Sequence, residues 1–372
     1  MRLALLSDGR SPHTRRWARY FAEQGDELLL LSLEPIVEQP VPARRLGPAL
    51  KPAALATTLA LPAARRALDI FVPELVNAHF LPNYGWLAWL LGTRPWALST
   101  WGSDVLVNPR RSALHRWRAR RVLRAADCIT SDAAMLTEAI QALAGPGLPV
   151  LTAPMGIDRA SFAAAAPALG APRARTVLHN RNLEAVYDLP TVLRGCARWL
   201  AANPDWRLRL AGDGSQRARL EREAAALGLG ERIAFLGRLA RPALLAELAQ
   251  AEIYLSASRS DSTSVSLLEA MALGAYPVLS DLPANREWIA EPPQAQYFPV
   301  GDAQALSAAL AAALALGAEQ RAAARAANRA TIAARAIWEE NMGGLRTAFL
   351  DLIARRERAD GAQRAQRGGG RR

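Results

Sequence analysis

The chain has 372 residues, 51% hydrophobic and 22% charged, a size and balance that fit two α/β domains and exclude a fibrous or wholly disordered protein. Its net charge of +12 is local: Arg110 to Arg124 holds seven arginines and no acid, Arg355 to Arg372 holds seven against Glu357 and Asp360, and the remainder is balanced, which argues against a general nucleic-acid binder. Cys128 and Cys196, the only cysteines, lack disulfide-framework, redox or thiolate-zinc spacing and point to a reducing compartment, the cytoplasm.

The N-terminal run breaks at Asp8, too early for a signal peptide, and reads as a buried strand from Leu3 to Ser7. After the turn Asp8-Gly9-Arg10, Ser11 suits an N-cap and Pro12 the first helical position. Trp17 and Phe21 repeat at i and i+4, Gly25 ends that helix, and Leu28 to Leu31 forms the next strand. Further strands are expected at Leu75 to Ala78, Trp96 to Thr100, Cys128 to Thr130 and Val150 to Ala153. No apolar run reaches the roughly 18 residues a membrane span requires.

The first domain is therefore placed at residues 1–160, with an Ala/Pro-rich linker at 161–172. A second domain, 173–335, begins with a strand at Thr176 to Leu178 and continues with Leu208 to Ala211, Ile233 to Leu236, Ile253 to Ser256 and Pro277 to Leu279. Its Gly212-Asp213-Gly214 turn echoes Ser7-Asp8-Gly9, which suggests two similarly built halves with the default site in the cleft between them. A helix at 336–358 is expected to pack back towards the first domain, and 359–372 to be a disordered basic tail.

The segment from Ser258 to Trp288 carries the most chemistry. A buried strand runs into a loop of small hydroxyl residues and then a helix whose Leu267, Leu268 and Met271 face inward, with Gly274 as its left-handed terminator. Small residues before a helix N-terminus let backbone N–H groups approach an anion, and the helix dipole favours a phosphate there. Asp261 and Glu269 bracket that point, and carboxylates beside a phosphate suit hydroxyl groups, so a polyol and a ribose are natural partners. The alternative is an N-cap for Asp261 and a solvated helix position for Glu269.

This stretch resembles the signature of glycosyltransferase family 4 (glycosyl transferases group 1). There an acidic residue, seven intervening residues and Glu precede Ala-Met-Ala-x-Gly-x-Pro-Val; Asp261 and Glu269 fall on the acidic positions, and the likeness continues to Ile289. The resemblance implies an α/β GT-B fold, two Rossmann-like domains with parallel sheets facing a central cleft. It implies a retaining enzyme that moves a sugar from a nucleotide-sugar donor to a glycan or lipid-linked acceptor in cell-envelope polysaccharide or glycolipid synthesis. It also implies roles. Glu269 would hold the ribose, Asp261 the donor sugar, and Ser262, Thr263, Ser264 and Val265 the phosphates. Arg181 would stabilise the diphosphate with Tyr187 nearby, Gly212 and Gly214 would line the nucleotide, and Leu236 and Gly237 would face the base. Gly9 would meet the diphosphate from the first domain, Asp104 and His79 would act at the reacting centre, and His13 and Trp101 would contact the acceptor. Pro154 to Asp158 resembles a crossover element and is read as structural.

Departures are plain. Asp261 is followed by Ser262-Thr263-Ser264 where the family has Gly-Phe-Gly, Tyr187 stands where lysine is usual, Trp101 where histidine is usual, and Lys51 is the only lysine. No Asp-x-Asp pair occurs, so neither a metal nor another cofactor is expected beside the nucleotide-sugar co-substrate. The Arg110 to Arg124 segment fits either a peripheral contact with an anionic membrane or lipid-linked phosphate, or a solvated basic helix. A GT-B epimerase, a binding-only relative and an arginine-rich nucleic-acid binder stand as alternatives.

Overall fold

A computed structural model describes residues 1–47, 53–165, 173–290 and 292–369, with side chains left aside at 53–55 and 363–369. Lys51 and positions 166–172 of the expected linker lie outside the described residues.

The chain divides into two compact units, one of Met1–Ala153 with Met342–Arg372, the other of Pro154–Asn341. In the first, β1 (Arg2–Leu6), β2 (Glu27–Ser32), β3 (Ala43–Arg45), β4 (Leu75–His79), β5 (Trp96–Ser99), β6 (Cys128–Ser131) and β7 (Val150–Thr152) form one sheet in the order β3-β2-β1-β4-β5-β6-β7. All pairs are parallel, with Leu3 level with Leu28 on one side and Leu75 on the other. The apolar strand cores, such as Leu3 to Leu6, are buried on both faces, as a helix-covered parallel sheet requires.

The second unit repeats the plan. Strands β8 (Ala174–His179), β9 (Arg207–Ala211), β10 (Ile233–Gly237), β11 (Ala251–Ser256), β12 (Tyr276–Ser280) and β13 (Gln296–Phe298) lie parallel in the order β10-β9-β8-β11-β12-β13. Strand order reverses between β1 and β4 in the first unit and between β8 and β11 in the second. At such a reversal the loops leaving the carboxyl ends diverge and leave room for a ligand.

Every expected strand is present, within a residue or two at its ends. The two extra strands, β3 and β13, are three-residue edges with one neighbour each, and Ala43-Arg44-Arg45 is exposed throughout, so neither carries an apolar run to announce it. The boundary falls at Pro154 instead of within 161–172, because the intervening residues pack into the second unit. Ile157 bridges Ile337, and a Cβ on Gly156 (φ +57°) would sit 2.3 Å from the Ala336 carbonyl oxygen.

The last helix runs Trp338–Gly369, later at its start and longer than the expected 336–358, so the tail from 359 is helical as far as it is described. From Met342 on it belongs to the first unit: Phe349 stacks on Phe21 with ring centroids 6.1 Å apart, and Arg346 grips Asp26 at 2.7 and 2.8 Å. Asp26 also receives the N-terminal ammonium at 2.8 Å, which ties both chain ends to one carboxylate. Phe349 is fully buried, so Phe349→Ala lowers the urea-derived unfolding free energy by about 3–5 kcal/mol. A loss below 1 kcal/mol would show that this helix is not part of the core of the first unit.

Candidate functional site

The second unit gathers its polar side chains at the β8/β11 reversal. The chain leaves β8 through Asn180 and Arg181, and leaves β11 through Ser258 to Ser264 into the helix Val265–Leu273. Ser264 N-caps that helix, its Oγ accepting from the Leu267 N–H at 3.3 Å. At the other end Gly274 sits at φ +78°, and Arg329 and Arg173 donate to the Ala272 and Leu273 carbonyls at 2.6 and 2.5 Å. Cations thus satisfy the negative end, while the positive end faces the loop.

Arg181 organises that loop. Its Nη2 lies 2.8 Å from Asp261 Oδ2, its Nη1 donates to Ser264 Oγ, and its guanidinium lies 4.4 Å from the centre of the Tyr187 ring. Burial works against the charge, but the adjacent Asp261 carboxylate outweighs it and raises the Arg181 pKa above its ordinary value. Asp261 Oδ1 accepts from the Ser262 N–H at 3.1 Å, and Ser262, Thr263 and Ser264 are buried.

Two glycines let neighbouring loops close on this backbone. A Cβ on Gly212 would stand 2.4 Å from the Arg181 carbonyl oxygen, and one on Gly214 2.6 Å from that of Leu183. The Gly212 N–H donates to the Gly237 carbonyl at 2.8 Å, and the Leu183 N–H to Asp213 at 3.0 Å. Val265 opens the helix and Leu236 precedes Gly237 at the end of β10, both half-buried. Arg181, Asp261, Ser264, Tyr187, Gly212, Gly214, Gly237 and Leu236 therefore lie on consecutive strand ends of one sheet.

Glu269 is buried, not solvated, and Arg241 Nη1 donates to its Oε1 at 2.6 Å. The other arm of Arg241 reaches Asp158 Oδ2 at 2.7 Å. Burial opposes ionisation of Asp158, but its Ser161 and Arg241 partners prevail and lower its pKa to about 2. Asp158 is thus more than a crossover residue, and Arg241 is a site residue with no signal in the sequence beyond being one arginine among many.

Asn180 was also missed. Its side chain is 9% exposed, and neither amide atom finds a hydrogen-bond partner among the described residues. A buried amide left unpaired is costly, and this one stands next to Arg181 in the chain.

The first unit answers differently to its expected residues. His79 is 2% exposed; its Nε2 lies 2.8 Å from Asn77 Oδ1 and its Nδ1 3.1 Å from Ser7 Oγ. Asn77 donates its amide to Ala97 O and Ser99 Oγ, so the Asn77 oxygen accepts from His79 Nε2. Burial, with His13 nearby, lowers the His79 pKa to about 3. It is a buried histidine with both ring nitrogens in hydrogen bonds.

Asp104 is fully buried, accepting from the Trp101 N–H at 3.0 Å and the Leu81 N–H at 3.1 Å. It clamps two turns together. Gly9 is engaged internally: its N–H donates to Ser32 Oγ at 2.9 Å and its carbonyl accepts from Val37 and Gln39. Exposed His13 and half-buried Trp101 do face one another, with ring centroids 5.5 Å apart, beyond the ends of β1 and β5.

Among the described residues no group of three or more His, Cys, Asp or Glu side chains is placed to hold a metal. None of the described helices is long and apolar enough to cross a membrane.

Residues 168–331 match the family described as Glycosyl transferases group 1, and residues 2–133 the family described as Glycosyl transferase 4-like. A phosphatidyl-myo-inositol mannosyltransferase of Mycolicibacterium smegmatis is 32% identical over 159 residues, covering 42% of this chain but only 40% of that protein. Among solved structures, sucrose-phosphate synthase of Thermosynechococcus elongatus superposes with a TM-score of 0.81 at 18% identity, over 95% of this chain and 99% of that one. HepE of Anabaena, solved with UDP-glucose, gives 0.72 at 16% identity, over 96% of this chain and 100% of that one.

Two substitutions separate a structural carboxylate from an unfilled amide. Asp104→Ala strips two backbone N–H groups of their acceptor and costs about 2–4 kcal/mol in urea unfolding, while Asn180→Ala breaks no bond and costs less than about 1 kcal/mol. Equal losses at the two positions would contradict these assignments.

Proposed function

The chain belongs to glycosyltransferase family 4 (glycosyl transferases group 1) and has the GT-B fold, and from that premise we propose that it transfers a sugar from a nucleotide-sugar donor to a glycan or lipid-linked acceptor, with retention of anomeric configuration. The observation that carries this reading is the buried Arg181–Asp261–Ser264 cluster at the positive end of the Val265–Leu273 helix, with the Glu269 carboxylate inside the same helix.

In this reading the diphosphate sits at the helix N-terminus, where Arg181 and backbone N–H groups meet the charge that develops as the donor bond breaks. Glu269 takes the ribose hydroxyls by exchanging part of its contact with Arg241. Leu236 and Gly237 border the base. Asp261 accepts a hydroxyl of the sugar. Both of its oxygens are already engaged, by Arg181 and the Ser262 N–H, which supports it as a holder of hydroxyls rather than a covalent nucleophile. The bond from the anomeric carbon to the phosphate oxygen breaks, the acceptor oxygen bonds to that carbon on the same face, and the departing phosphate takes the acceptor's proton. No bound metal is required, the guanidinium and helix dipole standing in for it.

The acceptor is assigned to the first unit near Trp101 and His13. A role in cell-envelope polysaccharide or glycolipid synthesis, at the cytoplasmic face of the membrane, goes with the reading. The arginine-rich helix of the first unit supplies a peripheral contact with anionic lipid.

The test is a panel of nucleotide sugars, assayed for binding and for slow donor hydrolysis by the full chain. One or more binds, and Glu269→Ala weakens that binding by about tenfold or more, as loss of a charged hydrogen-bond acceptor should. Absence of binding across the panel, or an unchanged Glu269→Ala protein, overturns the assignment.

A further inference from the structure

The seven arginines between Arg110 and Arg124 do not form an evenly solvated face. A cavity of 290 Å³ lies between the π-helical turn Phe80–Gly85 and the helix Ala113–Ala125, near the lower limit for small-molecule sites. Its polar wall is Asn83, Asn108, Arg111, His115 and Arg118, with Trp86 beside them, and no carboxylate lines it.

Among the described residues, none of the seven arginines has an ion-pair partner within 4 Å. Arg118 is the telling one. Its guanidinium lies half-buried, 4.3 Å from the centre of the Trp86 ring, with one donor on the Pro82 carbonyl at 3.4 Å. Burial depresses its pKa with no carboxylate to offset the loss of water. A guanidinium that gives up hydration without a counter-charge leaves its remaining donors for an anion, and the planar fork suits phosphate oxygens.

What surrounds the pocket decides the kind of phosphate. Leu114 and Trp117, three residues apart on one helix face, are 61% and 46% exposed, and Val107, next to Asn108, is 44% exposed. Trp117 lies 6.2 Å from Trp86, centroid to centroid, so the apolar face adjoins the cavity. A free phosphate would leave these side chains in water. The head group of a lipid would bring them against the membrane interface, where Trp and Leu are favoured beside a belt of arginine.

We propose that this pocket binds the phosphate of an anionic membrane lipid, with Arg118 and Arg111 as its principal ligands and Leu114 and Trp117 seated in the interface. The proposal narrows the peripheral contact put forward above and rests on that reading. It does not depend on glycosyl transfer, because vesicle binding is measured without donor.

The test is co-sedimentation of the full chain with vesicles of phosphatidylcholine alone or mixed with phosphatidylglycerol, comparing two charge-matched double variants. Arg110→Gln with Arg116→Gln removes two arginines outside the pocket and lowers partitioning onto the mixed vesicles by about thirtyfold, as two charges near an anionic surface should. Arg111→Gln with Arg118→Gln removes the same charge and lowers it about tenfold further. Arg118→Lys, which keeps the charge and loses the fork, binds more weakly than the unmodified chain and more tightly than Arg118→Gln. Equal losses from the two pairs would show diffuse attraction in place of a pocket and overturn the proposal. So would equally tight binding to phosphatidylcholine alone, or displacement from the vesicles by glycerol phosphate at the concentrations at which the lipid binds, which would mark a free-phosphate site. Intact nucleotide-sugar binding in the pocket variant separates failure here from failure of the transferase reading.

Discussion

The second unit depends on one buried ion pair. Arg181 and Asp261 come from different strand ends, β8 and β11, and meet at 2.8 Å where both are largely out of water. Neither charge is tolerable there alone; removal of one partner from a buried pair costs about 3–5 kcal/mol. The pair therefore fixes the spacing of the two loops, and other features follow from that spacing. Ser264 is held where it caps the helix, the Tyr187 ring packs against the guanidinium, and Gly212 and Gly214 are needed because the next loop runs against the Arg181 to Leu183 backbone. Tyr187 lays its ring against the Arg181 guanidinium, which sits 4.4 Å from the ring centre.

The first unit uses its buried polar residues to build structure. His79 is neutral within a chain of hydrogen bonds through Asn77, Ser7 and Ser99, and Asp104 is spent on backbone N–H groups. These residues shape the strand ends and turns from which Trp101 and His13 face each other. Open polar chemistry in this unit lies elsewhere, on the arginine-rich helix and its cavity. Charge is accordingly divided: a neutralised Arg181 in the second unit, and in the first, among the described residues, the arginines from Arg110 to Arg124 without ion-pair partners.

Much of this was legible in the sequence because it rests on local pattern. Apolar runs announced the central strands, and the acidic spacing from Asp261 to Glu269 announced the helix and its N-terminus. What was illegible rests on partners distant in the chain. Arg241 meets Glu269 and Asp158 from 28 and 83 residues away, and no local pattern distinguishes it from the chain's other arginines. Asn180 is notable only for the bonds it lacks, which requires coordinates to see. The burial of His79 and Asp104 was illegible for the converse reason: a polar residue at a strand end looks the same in sequence whether it stands open or bonded to its neighbours. The last helix was underestimated at its end, because the Gly-, Gln- and Arg-rich composition from Gly361 on reads as a tail while the helix runs on to Gly369.

The account stands most directly on Arg181 as the cation that meets a diphosphate, and a titration calorimeter can isolate that role. Affinities of the matched nucleoside diphosphate and monophosphate are compared in the unmodified chain and in Arg181→Gln, at a temperature where circular dichroism shows both folded. The unmodified chain binds the diphosphate about tenfold or more tightly than the monophosphate, and the variant loses most of that difference while retaining its monophosphate affinity. An unchanged ratio in the variant would contradict the account, because the second phosphate would then owe nothing to Arg181.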